Sequence, residues 1–377
     1  MSQLQSAVID NAFMQRALHL AALGQYTTTP NPNVGCVIVN RAGEIIGEGF
    51  HQQAGTPHAE RHALQQAGSA AQDSTVYVTL EPCSHTGRTG PCADALVAAK
   101  VARVVVATLD PNPKVSGRGI DILRSNGIQV DIGCLESQAL AINQGFMRRM
   151  RTGRPKVIVK LAMSLDGRTA LANGESQWIT GSEARKDVHE ERAKACAILT
   201  GSSTVLRDDP QMNVRIEHSA LYPDSVKHIA LRQPRVVAID SGHRIQPSAA
   251  IVQATQLPII ALTEHNATFN DNQAEQWVLD STPDGKVDLH QLLTKMGESE
   301  FNNVWVEAGS QLCGALLEQQ LVDELVVYQA PKLMGQDAMP LLQLPHYTEM
   351  AQVPQLSLQS VERLGDDVKM TFLPQYE

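Results

Sequence analysis

The sequence predicts an α/β protein built as two domains, and three observations carry that expectation. Short apolar runs alternate with amphipathic helical stretches along the whole chain, the pattern of sheets covered by helices. The length of 377 residues corresponds to roughly two domains at ~100–200 residues each. A polar Gly/Pro stop, "RTGRP", interrupts the alternation after Met150, which places the expected domains at 1–151 and 152–377.

The elements follow in order. "DNAFMQRALHLAALG" puts Phe13, Ala17, Leu20 and Ala21 on one helical face, with Asp10 as its cap and Gly24 as its stop. "NVGCVIVNRAGEIIGEGF" reads as two strands around a turn at Arg41 to Gly43. "STVYVTL" and "ARVVVATLD" read as strands, "HAERHALQQAG" and "CADALVAAK" as helices, and Leu135 to about Arg151 as one long helix. Beyond the boundary the pattern restarts with "PKVIVKLAMSLDGR" and a helix at "SEARKDVHEERAKA". The strands "AILTG", "PRVVAID", "PIIALT", "NVWVEAG" and "DELVVYQAP" come next, and "LSLQSVERLGDDVKMTF" closes the chain as a hairpin turning at Gly365 to Asp367.

Composition narrows the function. A formal charge of −9 argues against a surface that neutralises nucleic-acid phosphates. No apolar stretch approaches the ~18–20 residues of a membrane span, and the start "MSQLQSAVIDNAF" has no leader pattern, so a cytoplasmic protein is expected. The six cysteines are scattered rather than arranged as a secreted disulfide framework, and four of them read as buried thiols.

The other two, Cys83 and Cys92, bracket "CSHTGRTGPC" and follow a strand end at "TLEPC". His58 and Glu60 lie in "HAE" at a helix start. Nucleobase deaminases hold zinc through one His and two Cys, with a Glu two residues after the His that shuttles protons without binding the metal. That chemistry needs three protein ligands and one open position, where a water is activated for attack on the amino-bearing ring carbon. HAE alone is a common helix start, and His85 offers a fourth ligand for a purely structural zinc; that alternative leaves HAE unexplained.

The commonest deaminase spacing puts the second cysteine three positions after the first, where this chain has Thr86. "PCSHTGRTGPC" instead resembles the bifunctional riboflavin-biosynthesis deaminase-reductase family, whose second zinc cysteine follows just such an insertion. "NPNVGCVIV", "HAERHAL", "KLAMSLDGRTA", "GESQWIT", "AILTGSSTVLRDDP" and "VEAGSQLCGALL" agree with it over nearly the whole chain.

The resemblance implies a cytidine-deaminase-like three-layer α/β/α domain followed by a dihydrofolate-reductase-like α/β domain. It implies Zn²⁺ on His58, Cys83 and Cys92, Glu60 as the proton carrier, and substrate contacts at Asn31, His51 and Arg88. In the second half it places NADPH against Ala162, Trp178, Thr204, Asp208, Ser241, Gly309, Ser310, Gln311, Leu312, Cys313, Gly314 and Ala315. Ser176, Arg192, Met212, Arg215 and Glu307 are the implied contacts of a ribose phosphate substrate. Ser310 and Met212 depart from the residues usual in the family, without loss of a charge or a hydrogen-bonding group.

The residues themselves add to this. The second half lacks GxGxxG, yet strand-to-Gly turns at Gly201 and Gly309 offer backbone N–H groups to an anion. Trp178 beside Ile179 reads equally as a core aromatic. Lys160, read as ending an apolar strand, either snorkels to water or acts as a catalytic cation that polarises an imine. The implied partners are small pyrimidine ribose phosphates and further copies of the chain in a dimer or tetramer, with no nucleic acid and no membrane. Two rivals make different demands: a nucleic-acid-editing deaminase calls for a basic surface, and a zinc-stabilised scaffold needs no Glu60.

Overall fold

The computed structural model describes residues 3–84, 90–112, 116–217, 221–222, 229–254 and 256–376, the side chains of 3–6 excepted. The chain divides into two compact units, Met1–Gly153 with Tyr222–Leu231, and Arg154–Leu221 with Arg232–Glu377.

The first unit is built on a five-stranded sheet of β1 (Gly35–Val39), β2 (Ile45–Phe50), β3 (Thr75–Val78), β4 (Arg103–Val106) and β5 (Gln129–Ile132) in the order β2-β1-β3-β4-β5. β1 pairs antiparallel with β2 and β3, whereas β3, β4 and β5 run parallel. Helix α1 (Gln3–Ala22) lies so close to β1 that a Cβ on Gly35 would sit 1.9 Å from the Ala17 carbonyl oxygen. Only glycine fits that approach.

Helix α1 starts before the expected cap because Asp10 has another use. Its carboxylate accepts both terminal N–H groups of Arg103 at 2.8 Å and the Tyr77 hydroxyl at 2.8 Å, tying α1 to β3 and β4. The other helices are α2 (Ala59–Ala67), α3 (Cys92–Ala98), α4 (Arg118–Ser125), α5 (Glu136–Ile142) and α6 (Gln144–Thr152). The stretch expected as one long helix is thus broken at Asn143. Asn143 clasps the Asn33 backbone, accepting its N–H at 2.7 Å and donating to its carbonyl at 2.8 Å.

The second unit carries a nine-stranded sheet. Its strands are β6 (Lys156–Ser164), β8 (Ala197–Gly201), β9 (Arg235–Ile239), β10 (Ile259–Leu262), β11 (Glu275–Val278), β12 (Asn303–Val306), β13 (Glu324–Ala330), β15 (Gln355–Leu364) and β16 (Asp367–Gln375). The order is β11-β10-β9-β8-β12-β6-β13-β16-β15, parallel as far as β13 and antiparallel beyond it. A two-stranded ribbon pairs β7 (Arg168–Ala170) with β14 (Met339–Pro340). Lys160 stands in the middle of β6 rather than at a strand end, because pairing with β13 continues as far as Ser164. It therefore has no strand terminus from which to snorkel.

Two apolar clusters fill this unit, one around Leu199, Val304 and Leu316, the other around Ile198, Trp305 and Tyr328. Opposite parity of Ile198 and Leu199 on one strand puts the clusters on opposite faces of the sheet. Helix α7 (Ser182–Lys194) is fastened by a buried ionic group. Lys369 donates to Asp187 at 2.8 Å and to Glu191 at 2.9 Å, and the Tyr328 hydroxyl donates to Asp187 at 2.5 Å.

Lys369→Ala leaves Asp187 without a cation beside Glu191, which keeps only Lys194 at 3.1 Å. The variant is expected to lose about 3–5 kcal/mol of second-unit stability, the usual cost of breaking a buried ion pair from one side. Tryptophan fluorescence during urea unfolding reads this directly, since Trp178, Trp277 and Trp305 all belong to the second unit.

Candidate functional site

In the first unit the site is assembled by two helix starts and one strand exit. His58 is the N-cap residue of α2, Glu60 is the second residue of that helix, and Cys92 opens α3. Cys83 lies beyond the end of β3. The Cys92 N–H donates to Cys83 Sγ at 3.3 Å and the Ala93 N–H to the Cys83 carbonyl at 3.2 Å, so Cys83 is tied directly to the start of α3. His85 and Arg88 fall in that loop, outside the described residues.

Two side chains the sequence reading passed over brace the segments on either side of the cysteines. The Glu81 carboxylate, 3% exposed, accepts N–H groups from Gly119 at 2.9 Å, Gly117 at 3.0 Å and Asp110 at 3.3 Å. Arg61 on α2 donates to the Gly90 carbonyl at 2.9 Å and the Pro91 carbonyl at 3.2 Å. Both are polar residues directly beside motif residues, which was the available signal.

His58 Nδ1 lies 3.5 Å from Cys83 Sγ and 3.3 Å from Cys92 Sγ, and all three donor atoms fall within 4.8 Å of one another. A tetrahedral zinc with bonds of ~2.0–2.1 Å to nitrogen and ~2.3 Å to sulfur sets such N···S pairs roughly 3.6 Å apart, so the donor set fits that ion. Hydrogen bonding with Cys92 holds the Cys83 thiol down to about 4, and the same contact pushes Cys92 up. Burial, and then the nearby Cys83, push the Glu60 carboxyl above its ordinary range, and Glu60 also hydrogen-bonds with Cys92.

The neighbouring polar wall is pre-set. Asn31 Nδ2 lies 2.9 Å from His51 Nε2, which can only accept from it, so the ring proton is on Nδ1, 3.3 Å from the Pro57 carbonyl. Burial and the His58 ring, 5.2 Å away edge-on, lower His51 to about 4, which keeps it neutral at pH 7. That contact uses the amide N–H group of Asn31, and the amide oxygen is an acceptor only.

In the second unit a cleft of about 1570 Å³ opens along the carboxyl ends of β6, β8, β9 and β12, the usual ligand position of a parallel sheet. Lys160, Ala162, Ser176, Trp178, Arg192, Thr204, Asp208, Met212, Arg215, Ser241 and Glu307 line it, together with Gly309, Ser310, Gln311, Leu312 and Ala315. Cys313 and Gly314 do not: the helix Ser310–Glu318 turns that face inward, and both are buried. Trp178 is 63% exposed, with the Arg185 guanidinium 4.7 Å over its ring, so it is not a core aromatic.

At the floor of the cleft Arg192 and Glu307 form a two-pronged pair, Nε to Oε1 at 2.5 Å and Nη2 to Oε2 at 2.9 Å, while Trp305 donates to Oε1 at 3.0 Å. Burial raises the Glu307 carboxyl, but Arg192, Lys160 and Trp305 outweigh it and leave it at about 2. Burial lowers the Lys160 ammonium, and Glu307 opposes that shift. Missed in the sequence were His189, one helical turn before Arg192 on α7, and Arg244, three residues after Ser241; both line the cleft.

Comparison with known proteins follows the same division. Residues 155–370 match the RibD C-terminal domain, and residues 8–108 match the cytidine and deoxycytidylate deaminase zinc-binding region. The riboflavin biosynthesis protein RibD of Haemophilus influenzae is 50% identical over 371 residues, covering 97% of each chain. That of Escherichia coli is 50% identical over 364 residues, 95% of this chain and 98% of the relative. Among solved structures, Acinetobacter baumannii RibD superposes with a TM-score of 0.90 at 44% identity, over 98% of this chain and 100% of that one. The diaminohydroxyphosphoribosylaminopyrimidine deaminase/5-amino-6-(5-phosphoribosylamino)uracil reductase of Thermotoga maritima gives 0.86 at 30% identity, over 98% and 100%.

His189 carries a pH signature. Burial first, then the Arg192 and Arg215 cations, lower it from 6.5 to about 4. The unfolded chain therefore binds the extra proton between those values, and second-unit stability is expected to fall as pH drops from about 6.5 to about 4. Urea midpoints followed by tryptophan fluorescence should show a shallower fall over that window in His189→Gln.

Proposed function

Because the chain belongs to the RibD family of riboflavin-biosynthesis proteins, we propose a specific division of labour among its residues. The enzyme is bifunctional. A zinc-dependent deaminase hydrolyses the 2-amino group of 2,5-diamino-6-ribosylamino-4(3H)-pyrimidinone 5′-phosphate. An NADPH-dependent reductase then converts the ribosyl side chain of the resulting 5-amino-6-(5-phosphoribosylamino)uracil to ribityl. We assign the first activity to residues 1–151 and the second to 152–377, supported by the family matches on either side of residue 152.

The observation that carries the deaminase assignment is the convergence of His58, Cys83 and Cys92 beside the buried Glu60. These three would hold zinc, which when bound supplies a Lewis acid that makes water nucleophilic at neutral pH. Glu60 takes a proton from the attacking water and returns it to the departing ammonia; its burial beside the ligands keeps that exchange away from bulk solvent. Asn31, fixed through its Nδ2 by His51, offers its carbonyl oxygen to a ring N–H of the pyrimidinone. Arg88 takes the substrate phosphate in the sequence-based reading.

In the reductase, NADPH when bound supplies hydride for C1′ of the ring-opened ribosyl group. Arg192 keeps Glu307 ionised and aimed, so that the carboxylate accepts hydrogen bonds from sugar hydroxyls. Lys160, with Nζ making no hydrogen bond to the described residues, provides the proton that balances hydride addition. Ser176, Met212 and Arg215 position the sugar phosphate, with the dinucleotide lying along Ala162, Trp178, Thr204, Asp208, Ser241 and the 309–315 turn.

The substrates are small molecules, and no helix among the described residues is long and apolar enough to cross a membrane. We read the protein as cytoplasmic, without nucleic-acid or membrane partners, in keeping with a biosynthetic enzyme of net charge −9. A homo-oligomer, dimer or tetramer, is supported by the edge strand β15, where Leu358 and Val361 are more than half exposed.

Glu60→Gln is expected to keep its zinc but release ammonia at least ~10²-fold more slowly, the scale of a lost general acid–base. Cys92→Ser should lose the zinc as well, so metal analysis beside the ammonia assay separates the two roles. Glu307→Gln loses charge-assisted bonds and is expected to reduce the deaminated substrate roughly ten- to a hundredfold less efficiently, with deamination unchanged. Parent-like NADPH oxidation by that variant would remove Glu307 from the substrate site.

A further inference from the structure

Helix α7 brings Arg185, His189 and Arg192 to the cleft, yet little apolar surface holds it in place. Its buried apolar residues are Ala184, Val188 and Ala193. Side chains this small interlock weakly with a sheet, so the position of α7 along its own axis needs another determinant.

That determinant lies on the C-terminal hairpin of β15 and β16. Alternate residues of β16, Asp367 and Lys369, point at α7 and are 4% and 7% exposed. Asp367 accepts the N–H of Gly181, just before the first turn of α7, at 2.7 Å, which places a carboxylate at the positive end of the helix. At the hairpin turn a Cβ on Gly365 would lie 3.4 Å from Glu183 Cγ, so the turn itself rests on the start of the helix. Further along, Lys369 bridges Asp187 and Glu191, one helical turn apart, and Tyr328 on β13 donates to the same Asp187 oxygen.

We propose that Asp367 and Lys369 are positioning residues of the reductase: the hairpin sets where α7 lies on the sheet, and with it the aim of Arg192 at the substrate. The inference rests on the reading that Arg192 and Glu307 meet the ribose phosphate.

Two links carry the effect from hairpin to site. Glu191 and Arg192 are consecutive, so the carboxylate that Lys369 holds belongs to the neighbour of the guanidinium that pairs with Glu307. Tyr328 pairs with Ala162, two residues along β6 from Lys160, and Glu307 is among the charges acting on its hydroxyl. The ionic cluster and the reacting end of the cleft thus share one face of the sheet.

Ions suit this task better than apolar contacts. Charge pairs with fixed partners admit one register, whereas their removal from water offsets much of their attraction, so they contribute placement more than net stability. Burial lowers the Lys369 ammonium, but Glu191 and Asp187 outweigh it, so the cation is retained.

The test is steady-state NADPH oxidation by the full-length zinc-loaded protein, with 5-amino-6-(5-phosphoribosylamino)uracil as the varied substrate. Asp367→Ala is expected to raise KM about three- to tenfold and to leave kcat within about twofold, the pattern of weakened binding without a change in chemistry. A loss of stability alone would remove active molecules, lowering apparent kcat with KM unmoved. Asp367→Asn keeps an acceptor oxygen for Gly181 and should restore KM. Tyr328→Phe deletes one hydroxyl, keeps the buried ring and carries the same expectation as Asp367→Ala, including where that variant does not fold. Ammonia release by the same samples should stay at the parent rate. Arg192→Lys, which loses the two-pronged pair with Glu307, is the control for the site, and adding Asp367→Ala to it should raise KM no further, because the guanidinium being aimed is gone. If Arg192→Lys has a parent-like KM, the reading that Arg192 meets the substrate is wrong. If it raises KM while Asp367→Ala and Tyr328→Phe do not, or if the effects multiply independently in the double variant, the positioning role alone is overturned.

Discussion

A carboxylate withdrawn from water must be given donors, and both units are organised around that demand. In the first, Glu81 collects three backbone N–H groups from the segment 110–119 and so pins the stretch that carries Cys83. In the second, Glu307 collects Arg192 and Trp305 at the floor of the cleft. Neither carboxylate could sit where it does without these partners. The donors come from distant parts of the chain, so satisfying the charge also fixes the geometry around it.

The same logic explains which groups are left open. His51 spends both ring nitrogens inside the protein and in doing so aims Asn31. Lys160 lies beside Glu307 in electrostatic reach yet forms no hydrogen bond to the described residues, so its ammonium remains available to a ligand. The lysine sits mid-strand on the face of β6 that alternates away from the core positions Val157, Val159 and Leu161. A cation in that location is held in low-dielectric surroundings by the rigid sheet rather than by a flexible loop.

Much of this was legible in the sequence, for reasons that can be stated residue by residue. Continuous apolar runs such as "RVVAI" and "NVWV" gave the central parallel strands because both faces of those strands are covered. The HAE and Cys pair were readable because metal chemistry dictates residue type. What escaped was decided by tertiary partners. Asp10 has the residue type of a cap but serves Arg103, and Asn143 breaks a helix because Asn33 claims it. β11 was not read as a strand: of its four residues only Trp277 is buried, as befits the sheet edge. Cys313 and Gly314 lie in a run otherwise facing the cleft, and only helical phase tells them apart.

Residues 222–231 follow β8 and α8 (Ser202–Asp208) in sequence but count with the first unit, where Tyr222 stacks edge-on against Tyr26 at 5.4 Å and is 4% exposed. The first unit is therefore not finished when Gly153 leaves the ribosome. At ~5–20 residues per second, synthesis must run on for some seconds, through α7 and β8, before Tyr222 and Ile229 can cover their places. A gene cut at "RTGRP" would deliver a deaminase fragment lacking part of its own apolar cover, so the two activities are separable in chemistry but interlaced in the order of biosynthesis.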